Sequence, residues 1–219
     1  MTRLAVFDCD GTLVDSQADI IWSMARAFEL AGLPSPDPNQ VRRVVGLSLP
    51  VALRELAPSA EHRQQQQIVE HYKTAFRQRR EEGLLQEPLY DGMEQLLRRL
   101  HADGWSLAVA TGKSDRGLNA CLTGHGLIDL FVSLQTADRH PSKPHPAMLE
   151  AALFEAGAQP NQSVVIGDTS FDMQMAVAAR VRAVGVAWGY HSPQDLIATG
   201  ADTVANTMDE LRLALEDAL

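Results

Sequence analysis

At 219 residues, with 45% hydrophobic and 21% charged side chains, the chain has the make-up of an ordinary globular protein, not a disordered one. Its length suits one large domain or a core with one insertion, and a chain of this size buries roughly 70% or more of its unfolded surface. A net charge of −9 argues against nucleic acid as a partner, since phosphate neutralisation needs clustered Lys and Arg, and an anionic ligand would need a positive field made locally, by a metal and a few cations.

No apolar run approaches the ~18–20 residues that cross a bilayer, and Met1-Thr2-Arg3 leads into no signal-peptide h-region. The expectation is a cytoplasmic protein with no membrane partner. Cys9 and Cys121 are the only cysteines; they lack zinc-like spacing and fit a reducing compartment. Cys9 reads as a buried small hydrophobe, because neighbours on a strand point to opposite faces.

The short run Leu4-Ala5-Val6-Phe7 suits a buried strand and leads directly into Asp8-Cys9-Asp10-Gly11-Thr12-Leu13. Two carboxylates followed by a glycine turn, where a central strand ends, are costly to bury without a ligand. Mg²⁺ is bound by such carboxylates, and an Asp can attack phosphorus. Ser16-Gln17-Ala18-Asp19 then reads as a capping box opening a helix that stops near Leu30 and Gly32. Asp37-Pro38-Asn39-Gln40 is a second helix start. A third helix follows Pro58-Ser59, with Ile68, Tyr72 and Phe76 along one face, and ends near Gly83. Residues 16–86 therefore hold helices only, which is not a single-helix crossover and reads as an inserted subdomain. The core is then 1–15 with 87–219, and Glu87-Pro88-Leu89-Tyr90-Asp91-Gly92 is the return linker.

From there strands and helices alternate. Met93, Leu96, Leu97 and Leu100 make a helical stripe, and Trp105–Ala110 is a buried strand ending in Thr111-Gly112-Lys113. A helix through Leu118 and Cys121 precedes a short strand over Leu130–Leu134. His145–Ala156 is helical, and Val164-Val165-Ile166 is a strand ending in Gly167-Asp168. Ala183–Ala187 and Thr203-Val204 complete the strands, with helices opened by Ser192-Pro193-Gln194-Asp195 and by Thr207 with Glu210. This alternation implies an α/β protein with a parallel sheet covered on both faces.

In such sheets ligands bind outside the carboxyl ends of the strands, where Asp8, Asp10, Thr111 and Asp168 all fall. The residue types fit phosphoryl transfer, which depends on positioning and charge stabilisation. Asp8 would be the nucleophile, Asp10 the acid and then base, and Thr111 with the Gly112 amide would hydrogen-bond the phosphoryl oxygens. Lys143, fixed by the following Pro144, would neutralise nucleophile and phosphate. Asp168 would bind the metal directly. Asp172 would hold a metal-bound water or orient Lys143, or stabilise a helix N-terminus.

Asp8–Leu13, the strand-terminal Thr111, Lys143 in its proline-flanked turn and Gly167-Asp168-Thr169-Ser170-Phe171-Asp172 occur in one order. That order resembles the haloacid dehalogenase-like hydrolases over essentially the whole chain. The likeness is greatest to the phosphoglycolate phosphatase-like branch, through Asp15-Ser16, Lys143-Pro144-His145-Pro146 and Asp172-Met173. The resemblance implies a Rossmann-like core, a small four-helix-type cap in 16–86, a Mg²⁺ cofactor and hydrolysis of small phosphate monoesters, with 2-phosphoglycolate the first choice. It implies that Asp8, the Asp10 carbonyl and Asp168 hold the metal, with Asp172 behind them. Phosphate would be bound by Asp10, Gly11, Thr111, Gly112 and Lys143. A cap residue near Val45–Ser48, or Arg43, would reach the leaving group, and the chain would be a monomer or homodimer. The alternatives are a sugar-phosphate phosphatase, pyrophosphatase, phosphomutase or dehalogenase on the same fold, or a regulatory protein. Asp10 counts against a dehalogenase and the absence of an early cap His against a mutase. A regulatory protein would have lost one of Asp8, Asp10, Lys143 or Asp168.

Overall fold

The computed structural model describes residues 2–218. The opening apolar run forms β1 (Arg3–Phe7), and four helices follow it: α1 (Gln17–Leu30), α2 (Pro38–Val44), α3 (Leu49–Leu56) and α4 (His62–Glu81). The remainder alternates through α5 (Met93–Ala102), β2 (Trp105–Thr111), α6 (Asp115–Gly124), β3 (Phe131–Thr136), α7 (Ala147–Ala156) and β4 (Ser163–Gly167). It ends with α8 (Ser170–Ala178), β5 (Arg182–Val186), α9 (Pro193–Ala198), β6 (Thr203–Ala205) and α10 (Met208–Ala218). The strands form one parallel sheet in the order β3-β2-β1-β4-β5-β6.

β1 sits in the middle because it is apolar on both faces. Leu4, Ala5, Val6 and Phe7 are wholly buried, and the strand's period of two sorts them. Ala5 and Phe7 join the cluster that contains Met93 and Leu97 of α5, Leu118 of α6 and Leu211 of α10. Leu4 and Val6 join the opposite cluster, with Met148 of α7, Met173 of α8 and Leu196 of α9. Cys9 lies in the first of these, buried as expected, and its interaction with the Cys121 thiol, together with burial, raises its thiol pKa.

The four helices of 16–86 build a separate apolar cluster from Met24, Phe28, Val41, Leu53 and Ile68. Their two connections to the sheet run side by side. Val14 and Leu89 form an antiparallel bridge, the Asp15 N–H donates to Pro88 O at 2.9 Å, and the Tyr90 N–H donates to Leu13 O at 3.1 Å.

Three local expectations change. α3 falls in a stretch read as interrupted at Gly46; its start is Ser48 in extended conformation, with proline in the first turn. The capping box at Asp37 forms, but the one at Ser16 does not. The Ser16 hydroxyl donates to Asp10 Oδ1 instead, and Asp19, wholly buried, accepts from Arg79 Nε at 2.5 Å and from the Gln86 N–H at 2.7 Å. That clasp ties the start of the helical unit to its end. The third strand runs over 131–136, later than expected, because Ile128–Leu130 forms a short 3₁₀ turn before it.

Candidate active site

The chain leaves β1 for β2 and β3 on one side of the sheet and crosses to β4 on the other, so β1 and β4 flank the point where strand order reverses. Asp8 follows β1 there and Asp168 follows β4. Thr111 ends β2 beside them, and Asp172 lies in the first turn of α8. The sequence-predicted residues are thus brought to one edge.

Lys143 reaches this edge from the loop before α7. Its Nζ lies 3.0 Å from Asp8 Oδ1 and donates to Asp172 Oδ1 at 2.5 Å. The second Asp172 oxygen accepts from the Thr169 N–H and hydroxyl, at 3.1 and 2.6 Å, so Asp172 caps α8 and holds Lys143 at once. Asp168 accepts from the Thr12 hydroxyl at 2.7 Å and from the Tyr190 N–H at 2.9 Å. His145 lies away from this chemistry, accepting the Ala147 N–H at the start of α7.

Asp8, Asp168 and Asp172 are all buried, and one oxygen from each lies within 4.8 Å of the others. Against the three, the described residues set one ammonium. Neither Asp8 oxygen accepts a well-aligned hydrogen bond, although Oδ1 faces Lys143. Burial pushes the Asp8 carboxyl up to about 7, with Lys143 pulling the other way and Asp172 and Asp10 adding to the rise. Burial also raises Asp168, helped by Asp8 and Asp172. Burial works against the Lys143 ammonium, but Asp172 and Asp8 outweigh it and raise its pKa. A divalent cation relieves such an excess of buried negative charge, and these are oxygen ligands of the kind Mg²⁺ takes. The donor set fits Mg²⁺.

Asp10 is held by groups that the motif did not reveal. Its Oδ1 accepts from Ser16 and from Lys113 Nζ, the latter at 2.5 Å. Lys113 also pairs with Glu87 at 2.7 Å, and Glu87 pairs with Arg80 of α4 at 3.0 Å. The Lys113 and Glu87 side chains are each 8% exposed, so this is a buried chain of charges running from the acid to the helical unit. Burial lowers the Lys113 pKa, but Asp10 and Glu87 more than compensate and raise it. Lys113 and Glu87 stood in the sequence as a strand-ending turn and a linker residue; only the fold places them together.

A cavity of about 430 Å³ separates this edge from the helical unit. Asp8, Asp10, Thr111, Gly112 and Lys113 line its floor, and residues 44–50 line its opposite wall. Val45–Ser48 are there as expected, whereas Arg43 is not: its side chain is exposed and its carbonyl contacts His191. The wall rests directly on the floor. A Cβ on Gly112 would lie 2.6 Å from Leu47 O, and the Ser48 N–H donates to Ser142 Oγ at 2.8 Å.

Gly11, expected among the phosphate contacts, is engaged within its own loop. The Gly11 N–H already donates to Val14 O at 2.9 Å, so it is not free for a ligand. Gly11 matters for space instead. Its φ is +88°, and a Cβ would fall 2.3 Å from Asp168 Oδ2 and 2.5 Å from the Tyr190 ring. Tyr190, which no sequence signal marked, thus lies over the first motif and also packs against the apolar cluster of the helical unit.

A family model described as haloacid dehalogenase-like hydrolase matches residues 5–186. The chain belongs to that family. "Probable phosphatase IndB" of Dickeya dadantii is 34% identical over 216 residues, covering 96% of this chain and 92% of its own. A "Phosphoglycolate phosphatase" of Colwellia psychrerythraea is 31% identical, covering 98% and 97%. The "Crystal structure of a predicted phosphatase from Clostridium acetobutylicum" superposes with a TM-score of 0.89 at 24% identity over 99% of both chains, which bears out the α/β fold. Within this family the chain is similar to proteins named as phosphatases.

Proposed function

We propose that this chain is a Mg²⁺-dependent phosphatase that hydrolyses a small organic phosphate monoester through an aspartyl-phosphate on Asp8. The observation that supports it best is the buried cluster of Asp8, Asp168 and Asp172, whose charge Lys143 balances only in part. Asp8, Asp168 and the Asp10 carbonyl would hold Mg²⁺, which when bound neutralises the nucleophile and the transferring phosphoryl group.

Lys143 and Thr111 orient the phosphate against Asp8, whose carboxylate oxygen forms a bond to phosphorus as the bond to the leaving oxygen breaks. Asp10 gives its proton to that leaving oxygen. Lys113 and Ser16 both engage its Oδ1, which leaves Oδ2 for this transfer. A water then attacks phosphorus, returns a proton to Asp10 and releases Asp8 and inorganic phosphate. Residues 16–86 act as a cap that excludes bulk water from the core formed by 1–15 and 87–219. Two buried free thiols suit a reducing cytoplasm.

Phosphoglycolate, given in the name of the Colwellia relative, is the first ester to test. The experiment is phosphate release from a panel of esters, with Mg²⁺ and with a chelator. Release that requires Mg²⁺ is expected. Release undiminished by the chelator, or none from any ester, overturns the reading.

A further inference from the structure

We propose that the helical wall of the cavity binds a flat, apolar leaving group, so that the preferred ester carries an aromatic or similarly planar hydrophobic body. This rests on the phosphatase reading and names the substrate class for it. The wall is apolar where it meets the cavity. Leu47, Leu49, Tyr72 and Phe76 line it and are only half-buried, so part of their surface awaits a partner. Tyr72 and Phe76 stack with centroids 5.8 Å apart and planes within 25°, so two aromatic rings sit together on this wall. The pair begins beside the chemistry: Lys113 Nζ, which holds Asp10, lies 5.7 Å from the Phe76 centroid and the Arg80 guanidinium 5.6 Å from it, so the contact surface left to a ligand is Tyr72, the ring edges, Leu47 and Leu49.

The cations argue the same way. A small acid such as phosphoglycolate has a carboxylate two atoms from the departing oxygen and needs a nearby cation for it. Lys113 is already shared by Asp10 and Glu87, and Arg80 is taken by Glu87. Lys73, Arg77 and Arg116 also line the cavity, but their side chains are solvent-exposed. A volume of about 430 Å³ is in the range of sites for drug-sized ligands, far beyond a two-carbon acid.

The test compares benzyl phosphate, ethyl phosphate and 2-phosphoglycolate, all esters of primary alcohols, in the presence of Mg²⁺. Burying a phenyl ring against the wall is expected to raise kcat/KM for benzyl phosphate about tenfold or more over the other two, mainly through KM. Phe76→Ala is expected to bring the benzyl-to-ethyl ratio within about threefold. Phe76 also packs within the helical unit, so calorimetric binding of benzylphosphonate and ethylphosphonate to the unaltered protein gives the same comparison without a variant or turnover. Equal binding of the two phosphonates, 2-phosphoglycolate matching or exceeding benzyl phosphate, or a folded Phe76→Ala protein with an unchanged ratio overturns the proposal. Hydrolysis of all esters without preference overturns it while leaving the phosphatase reading standing. Preferential binding of benzylphosphonate with no ester hydrolysed supports the pocket and sinks the phosphatase reading.

Discussion

The two sides of the cavity hold their polar groups in opposite ways. On the sheet side the ionised groups are buried and cross-linked: Lys143 between Asp8 and Asp172, Lys113 between Asp10 and Glu87, Asp168 under Thr12 and Tyr190. On the helical side the cavity meets half-buried Leu, Tyr and Phe, with Lys73 and Arg77 on exposed side chains and Arg80 paired to Glu87. Fixed charges serve a reaction whose charge changes are the same for every ester, whereas apolar surface responds to size and shape. Under the proposed function, chemistry and selection would be divided between two packing units, and the reaction could stay constant while the wall varies.

That division is tested most severely at Asp8. Asp8→Asn is expected to lower phosphate release by at least about 10⁴-fold while the circular dichroism spectrum is unchanged. Substantial residual turnover in a pure sample would remove Asp8 from the nucleophile's role. Lys113→Met probes the seam between the units, because it leaves Asp10 and Glu87 without their shared ammonium. A loss of roughly 10²-fold in kcat with a smaller change in KM is expected, and about 3 kcal/mol in denaturant unfolding. An effect confined to KM would place Lys113 on the substrate instead.

Charge on the sheet side also predicts a pH dependence. With the Asp8 carboxyl at about 7 in the metal-free fold and an ordinary value of 3.8, the native state binds more protons than the unfolded chain between those values. Metal-free stability therefore falls as pH rises through that window. Mg²⁺ is expected to raise the thermal midpoint more at pH 8 than at pH 5, and Asp8→Asn to raise the metal-free midpoint at pH 8. Equal shifts at both pH values would show that Asp8 titrates normally. The smallest effect is expected at the clasp of the helical unit. Asp19→Asn weakens the bond to Arg79, costs about 1–3 kcal/mol of stability and changes kcat for any one ester by less than about threefold. A larger fall in kcat would mean that the clasp sets the chemistry as well as the wall.

The sheet and its catalytic edge were legible because their signals are local. Leu4–Phe7 and Val164–Ile166 are short apolar runs that end in carboxylates, and a parallel sheet gathers such ends by its topology. Lys143 was legible because Pro144 and Pro146 restrict the chain on its C-terminal side. What was not legible is non-local. Ser16 looks like a helix N-cap until Asp10 folds back beside it, and Lys113, Glu87 and Arg80 become a chain of charges only when α4 docks. Tyr72 and Phe76 continue a stripe begun by Ile68, yet Ile68 is buried in the helical core while the two rings face the cavity. Helical periodicity identifies a common face without saying where along its length the protein ends and the ligand begins.

The central position of β1 has a consequence for synthesis. Arg3 pairs with Trp105 and Leu4 with Ser163, so the ribosome makes the strand that leads to Asp8 about a hundred residues before its first neighbour and later still before its second. At translation rates of about 5–20 residues per second, Leu4–Phe7 waits on the order of 5–20 s outside the tunnel as an unpaired apolar segment. The buried cluster of the helical unit lies within residues 16–86, so that unit has its own core complete in the same interval. A segment central to the finished sheet is thus left exposed while much of the chain is still being made.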